Sequence, residues 1–273
     1  MQSLNISSAA LRSVQQALDT TANNLANIDT VGYKRRTASF SELLSDSLNE
    51  QPAADRQQRS TPPGLRIGSG ARIGLTKLDM APGSAKITDV PTDLMIEGEG
   101  FFLVSRPLYD NNGTMVGEAY RFTRNGAFQV RFDDKLGSYV LHNAAGDLLT
   151  DVVGTPLMIT GPVRNLQVSP EGVVTNDGTT VGQIGVWKVP NPDQLTQVGE
   201  NEYDAELASG MTPYSKYEQS AAKIRQGALE ASNVNLQEEM TQLVNVQRAY
   251  QLNARAIAIA DQMMGIANSL RSR

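Results

Sequence analysis

The sequence predicts an α+β protein: a discontinuous terminal helical domain, paired as a coiled coil, with an all-β middle domain inserted into it. Three observations predict this. Leucine recurs every seven residues at Leu4, Leu11, Leu18 and Leu25. Near the other end an apolar residue recurs every seven positions, at Leu229, Leu236, Leu243, Tyr250, Ile257 and Met264. Between the two runs, apolar residues alternate with polar ones and glycine-containing turns recur. Seven-residue spacing keeps a stripe on one side of a slightly supercoiled helix. Alternation punctuated by turns belongs to strands.

Residues 1–44 are expected to hold the N-terminal helix. Three residues after the leucines stand Ser7, Val14, Thr21 and Ile28, a mixed second seam. The helix should stop near Asn27, because Ile28-Asp29-Thr30-Val31-Gly32 is β-branched and then reaches a glycine. Only Arg12 and Asp19 are charged in residues 1–27. A helix in water ordinarily carries charge opposite its apolar stripe. Here Asn, Gln, Ser, Thr and Ala stand there instead. The plain alternative is a helical hairpin docked on its own domain. The sharper expectation is that the terminal helices pair and that their outer faces pack against other copies.

Residues 45–75 form a connector, with Pro52, Pro62, Pro63, Gly64, Gly68, Gly70 and Gly74. Such a stretch is extended or irregular. Residues 76–212 should form the β domain. Leu94-Met95-Ile96 and Phe101-Phe102-Leu103-Val104 flank a glycine pair, and Phe128, Val130 and Phe132 alternate with polar residues. Turns fall at Asn112-Gly113, Asn125-Gly126, Ala145-Gly146-Asp147, Pro170-Glu171-Gly172 and Asn176-Asp177-Gly178. Short strands at this spacing suggest a sandwich or irregular barrel, with the single tryptophan, Trp187, in its core. Residues 213–273 should return to helix. Asn235 caps it, Glu238 stands in its acidic first turn and Arg271 and Arg273 stand at its far end. A helix over 236–270 would run roughly 50 Å.

Composition narrows the chemistry. The chain has 273 residues and 24 basic against 29 acidic groups, a net charge of −5. That argues against neutralising nucleic-acid phosphates. With no cysteine, thiolate metal sites, disulfides and thiol catalysis are excluded. His142 is the single histidine. Charged residues make up 19%, below the ordinary ~25%, which suits surfaces buried against other protein. No apolar run reaches the ~18–20 residues needed to span a bilayer, and the first residues lack the pattern of a cleaved secretory signal. No membrane insertion, metal or cofactor is expected.

Few residues invite a catalytic reading. Glu97 and Glu99 point the same way from one strand, whereas an acid–base pair usually faces across a cleft from separate elements. The intervening Gly98 and Gly100 fit a bulge or close backbone approach. They make no dinucleotide fingerprint, since a strand follows. His142 has Asp133, Asp134 and Asp147 nearby in sequence, and a loop histidine is the simpler expectation. Gly68-Ser69-Gly70 with Arg66 and Arg72 lacks a phosphate-loop pattern. Asp19, Asp29 and Asp46 are too scattered for a calcium loop.

Several segments carry a resemblance. The run Ala22-Asn23-Asn24-Leu25-Ala26-Asn27-Ile28-Asp29-Thr30-Val31-Gly32-Tyr33-Lys34 resembles the signature of flagellar rod and hook proteins. The run Thr61-Pro62-Pro63-Gly64-Leu65-Arg66-Ile67-Gly68-Ser69-Gly70 is similar to the connector of the distal rod type. Asp93-Leu94-Met95-Ile96-Glu97-Gly98-Glu99-Gly100-Phe101-Phe102 and Phe122-Thr123-Arg124-Asn125-Gly126-Ala127-Phe128 resemble that family's opening middle-domain strands. Gln226 to Asn235, GALEASNV between them, and Gln247-Arg248-Ala249-Tyr250-Gln251 resemble its C-terminal region.

The resemblance implies an axial subunit of the bacterial flagellar basal body, distal-rod-like and not an enzyme. Its partners would be further copies of itself in a helical polymer, adjacent rod and hook proteins, and the flagellar type III export apparatus. Its place would be outside the cytoplasmic membrane, reached without a cleaved signal. The runner-up is another rod component of the proximal type, with a wall-acting enzyme using Glu97 and Glu99 as a remote third reading. The resemblance marks Asn23, Asn24, Asn27, Gly32, Tyr33, Gly98, Gly100, Phe101 and Phe102 as motif residues. The heptad positions named above are the expected assembly interface.

Overall fold

The computed structural model describes residues 2–42, 45–47, 66–68, 71–109, 115–199, 201–204 and 217–271. A helix α1, Gln2–Ala26, opens the chain and a helix α2, Leu236–Arg271, closes it. Between them the described residues are mostly strand, with one short 3-10 turn at Pro192–Gln194, so the class is α+β. The chain divides into two compact units. One gathers α1, the strands within 36–77, and α2; the other gathers 27–35 and 78–234. No described helix is long and apolar enough to cross a membrane.

In the first unit α1 and α2 pack along each other. Asn24, near the end of α1, donates from its amide to Glu239 Oε2 in the first turn of α2 at 3.2 Å, so the helices run antiparallel. The buried stripe of α1 is Ser13, Ala17, Thr21 and Asn24. These side chains are small, which lets the helix axes come close. Their hydroxyls are satisfied within the helix: Ser13 Oγ donates to the Ala10 carbonyl at 2.8 Å and Thr21 Oγ1 to that of Ala17 at 3.0 Å. On α2 the most buried positions are Glu239 and Val246, seven apart. Leu243, Asn253, Ile257 and Ala260 continue that side half-buried.

Helix α1 stops at Ala26, close to the expected end. Asn24 then imitates a strand partner. Its Oδ1 accepts from the Arg36 backbone N–H at 3.0 Å and its Nδ2 donates to the Arg36 carbonyl at 2.8 Å. That fixes the start of the strand Arg36–Glu42, which pairs with Ala71–Leu78. In the connector, Ser45–Ser47 pairs antiparallel with Arg66–Gly68. Pro52, Pro62, Pro63, Gly64 and Gly70 lie outside the described residues, as do Thr61, Leu65 and Ser69.

The second unit is built on a large antiparallel sheet. Its long central hairpin joins Phe101–Tyr109 to Met115–Thr123. Leu148–Leu149 and Val186–Lys188 also pair with the first of these strands, and Glu202–Asp204 extends the second. Both faces of residues 101–105 are covered. Phe102 and Val104 join one apolar cluster with Phe128, Leu141, Leu149 and Val174. Phe101 and Leu103 join another with Phe122, Trp187 and Tyr203. A strand buried on both faces carries a continuous apolar run, which explains why Phe101 to Val104 does not alternate. Two short pairs complete the frame: Leu94–Glu97 with Lys223–Gln226, and Ala85–Ile87 with Ala228–Glu230. The described residues from 217 to 234 therefore include strands, and α2 starts at Leu236.

Candidate functional site

Within the second unit, three distant chain segments meet at a buried ion cluster. Lys34 lies on the segment after α1, Arg124 follows the central hairpin, and Glu230 ends the strand Ala228–Glu230. Glu230 Oε1 accepts from Lys34 Nζ at 2.6 Å and from the Gly83 backbone N–H at 2.9 Å. Its other oxygen accepts from Arg124 Nη1 at 3.1 Å. Lys34 also donates to the Ala81 carbonyl at 2.8 Å, and Arg124 Nη2 to that of Gly98 at 2.8 Å. The Arg124 guanidinium carbon stands 5.7 Å from the Phe101 ring centroid. All three charged side chains are almost wholly buried. Burial pushes the Lys34 pKa down, and the Arg124 charge adds to this, while Glu230 opposes it.

Backbone contacts lock the same place. Gly32 donates its N–H to the Glu230 carbonyl at 2.8 Å. Its φ is +69°, and a Cβ there would lie 2.6 Å from the Arg124 carbonyl carbon, so only glycine fits. Asn233 accepts from the Arg35 N–H at 2.7 Å and donates to the Asp79 carbonyl at 2.8 Å. Asn201 donates to the Val31 carbonyl at 3.2 Å. The segment 31–35 is thus held by the front, middle and rear of the 78–234 stretch. Each of the three charged groups is held by internal partners, while Arg124 Nε is a buried donor with none, and the cluster acts as a structural joint between the three segments.

A second network lies on the sheet. Asp147 is paired with Arg106 and lies 3.6 Å from Arg121 Nη1. Arg121 also reaches Glu202 Oε2 at 2.7 Å, and Asn143 donates to Glu202 Oε1 at 2.6 Å. Burial raises the Glu202 pKa, with Asp147 adding to the rise against Arg121 and Asn143. Spacing does not mark this network, because its residues come from three strands and one loop with no shared period. Lys34, Arg124 and Glu230 do lie inside the motif-bearing segments. The signal that could have found them is charge placed inside runs otherwise apolar or small.

The other sequence-selected residues fall as follows. Asn24, Gly32, Tyr33, Gly100, Phe101 and Phe102 are buried, Asn27 is half-buried, and Asn23 and Gly98 are exposed. Asn27 Oδ1 accepts from Thr30 Oγ1 at 3.1 Å in the turn after α1. Gly98 and Gly100 take φ of +131° and +142°, the latter where a Cβ would meet Val186 Cγ1 at 2.6 Å. Glu97 and Glu99 are exposed and stand near Arg225 (3.7 Å) and Lys188 (3.5 Å) respectively. They share no cleft. His142 is half-buried at the end of a strand, its Nδ1 bonded to the Asn143 carbonyl at 2.7 Å.

Among the heptad residues, Leu11, Leu18 and Leu25 are half-buried at the margin of the α1 buried stripe. The side chain of Leu4 lies outside the described residues. Leu229 is buried on the strand Ala228–Glu230, off the helix. On α2, Leu243 and Ile257 are half-buried, while Leu236, Tyr250 and Met264 are exposed. Further apolar side chains of α2 also face out, among them Met240, Val244, Leu252, Ile259, Met263 and Ile266.

The comparisons agree with this picture of a structural chain. Residues 4–34 match the family described as Flagella basal body rod protein, and residues 225–270 match Flagellar basal body rod FlgEFG protein C-terminal. The Flagellar hook-basal body complex protein FlhP of Bacillus subtilis is 32% identical, over 99% of this chain and 100% of its own length. The Flagellar basal-body rod protein FlgG of Borreliella burgdorferi is 31% identical over 99% of both. That of Caulobacter vibrioides is 30% identical over 100% of both. With such similarity running end to end, this chain belongs to the flagellar basal-body rod protein family, as a distal-rod-like structural subunit.

Proposed function

We propose that this rod subunit polymerises helically through the outer faces of its terminal helices, forming the shaft that transmits torque from motor to hook. The observation that carries the reading is the α2 surface: Leu252, Ile259 and Ile266 are each more than half exposed on a helix with few charges. A lone subunit leaves that apolar surface in water, and packing against neighbours removes it. Heterologous contacts whose rotation does not close give a filament, the form this reading requires. The terminal helices act here as a discontinuous coiled-coil domain, with the β-rich stretch 78–234 inserted between them. Neighbouring rod and hook proteins cap the polymer at its two ends. The chain passes through the flagellar type III export apparatus without a cleaved signal and works outside the cytoplasmic membrane.

A second position in the same rod is supported by the hook-basal body complex protein among the relatives: a component other than the distal one. Deleting the gene in its motile host and imaging purified basal bodies tests both. A shortened or missing rod with no hook is expected, and the break point identifies the segment. Intact basal bodies with normal swimming would overturn the reading.

A further inference from the structure

Near its C-terminal end the β-rich unit contains a short stretch, residues 223–233, that ties together segments distant in the chain. Lys223–Gln226 and Ala228–Glu230 are, among the described residues, the only strand partners of Leu94–Glu97 and Ala85–Ile87. Gly227 turns the corner between them at φ +74°. It donates its N–H to the Asp93 carbonyl at 2.8 Å and accepts from the Thr88 N–H at 2.9 Å. Ile224 lies in the larger apolar cluster, and its N–H reaches the Pro170 carbonyl at 2.9 Å. The Gln226 side chain accepts from the Val168 N–H at 3.1 Å and donates to the Leu166 and Pro91 carbonyls at 2.9 and 2.7 Å. Glu230 holds Lys34 and Arg124, and Asn233 holds Arg35 and Asp79. The receiving surface fits the stretch closely: a Cβ at Gly83 would lie 1.8 Å from the Ala231 carbonyl oxygen.

We infer that residues 223–233 are a closing strap, and that the rest of the β-rich unit has no stable fold until the strap docks. The device goes beyond the rod reading and does not rest on it. An undocked strap leaves three defects. Lys34 and Arg124 lose the carboxylate they share, and a buried charge without its partner is strongly unfavourable. Backbone groups at Pro91, Asp93, Leu166, Val168 and Pro170 lose their hydrogen bonds to the strap. The larger apolar cluster loses Ile224, whose Cδ1 lies 3.2 Å from the Cβ position of Gly172, and a hole opens there. These defects fall at once on the segments around residues 34, 93, 124 and 168, so no part of the unit is spared. In a chain made from its N-terminus, the strap is also among the last parts of this unit to appear. The unit therefore stays unfolded until its sequence is nearly complete. Folding is set by whether one short segment is free to dock, and anything that occupies that segment keeps the whole unit open.

The test follows the full chain through increasing urea with two probes. Amide exchange reports the strap at Ile224, Gly227 and Ala231, whose N–H groups are bonded to the Pro170, Asp93 and Ser84 carbonyls. Fluorescence of Trp187, the single tryptophan, reports the second apolar cluster, none of whose residues belongs to the strap. The strap amides should exchange only through the opening that also releases Trp187, with one urea dependence and one midpoint. Gly83→Ala obstructs the strap at Ala231 and lies outside the Trp187 cluster. It should move both signals to lower urea by the same amount. Strap amides that exchange through a smaller opening while Trp187 stays buried would overturn the inference, since the unit would then stand without its strap. So would a Gly83→Ala chain that loses strap protection at urea concentrations where Trp187 still gives its native signal. Both readouts concern the lone chain, so their failure leaves the rod reading intact. A deletion strain with normal basal bodies would sink the rod reading and leave the strap untouched.

Discussion

Lys34 Nζ and Glu230 Oε1 lie 2.6 Å apart across 196 residues of sequence, each side chain 1% exposed. The pair closes the β-rich unit by joining the segment that leaves α1 to the strand that precedes α2. A pair so buried does not add much by itself, since two charges have been taken out of water. Its value lies in the penalty for any arrangement that leaves one member alone.

Glu230→Gln should therefore destabilise the β-rich unit strongly. It strands the Lys34 and Arg124 charges, a loss of about 3–5 kcal/mol by comparison with other broken buried pairs. The urea midpoint should fall clearly. Adding Lys34→Met to Glu230→Gln should recover part of the loss, because one buried charge is removed. A double variant as unstable as the sum of both singles would refute the coupling.

Gly32→Ala should destabilise the same unit by more than about 1 kcal/mol. The positive φ alone disfavours alanine by about 1–2 kcal/mol, and the added methyl would sit 2.6 Å from the Arg124 carbonyl carbon and the Asn125 nitrogen. Both are backbone atoms, so neither can swing away. Differential scanning calorimetry of the variant should show a lower transition. An unchanged melt would mean the segment 31–35 relaxes without cost.

The two helices and the β-rich middle were legible because seven-residue repeats and alternating apolar runs are strong local signals. The orientation of the helices was less legible. Leucines marked the stripe of α1 that looks apolar, yet the side that buries deepest is Ser13, Ala17, Thr21 and Asn24. Close helix approach selects for small side chains, and a hydropathy pattern does not register that. On α2 the stripe Leu252, Ile259 and Ile266 is as regular as Leu243 and Ile257, so period alone could not say which faces α1. The joint at Lys34, Arg124 and Glu230 was hidden for another reason. Charged residues in isolation read as surface, and only tertiary pairing across distant segments makes them core. The Asp147 and Glu202 network has no sequence period at all.

Asn24→Ala should loosen the junction between α1 and the strand Arg36–Glu42. The amide satisfies both backbone groups of Arg36 and also reaches Glu239. Losing a buried side chain that leaves partners unpaired costs about 1–3 kcal/mol. Amide exchange should speed up at Arg36 and in the first turn of α2, with the core hairpin Phe101–Tyr109 and Met115–Thr123 unaffected. Protection unchanged at Arg36 would show that water replaces the amide.

Glu202 gives the β-rich unit a predicted pH dependence of definite sign. Its carboxyl is buried beside Asp147, and these two effects hold its folded pKa above the ordinary 4.5 despite Arg121 and Asn143. A raised folded pKa means the native state holds the proton more tightly than the unfolded chain. The stabilising contribution is then complete below about pH 4.5 and is lost as pH rises through the folded value. Glu202→Gln removes that titration. Gln can still accept from Asn143, although its amide nitrogen would meet Arg121 as a second donor, so the variant starts with a fixed penalty at acid pH. Against that constant offset, the thermal midpoint of the wild type relative to the variant should fall between pH 4 and pH 7. A gap that stays level or widens in favour of the wild type over this range would show that Arg121, and not burial, governs the carboxyl.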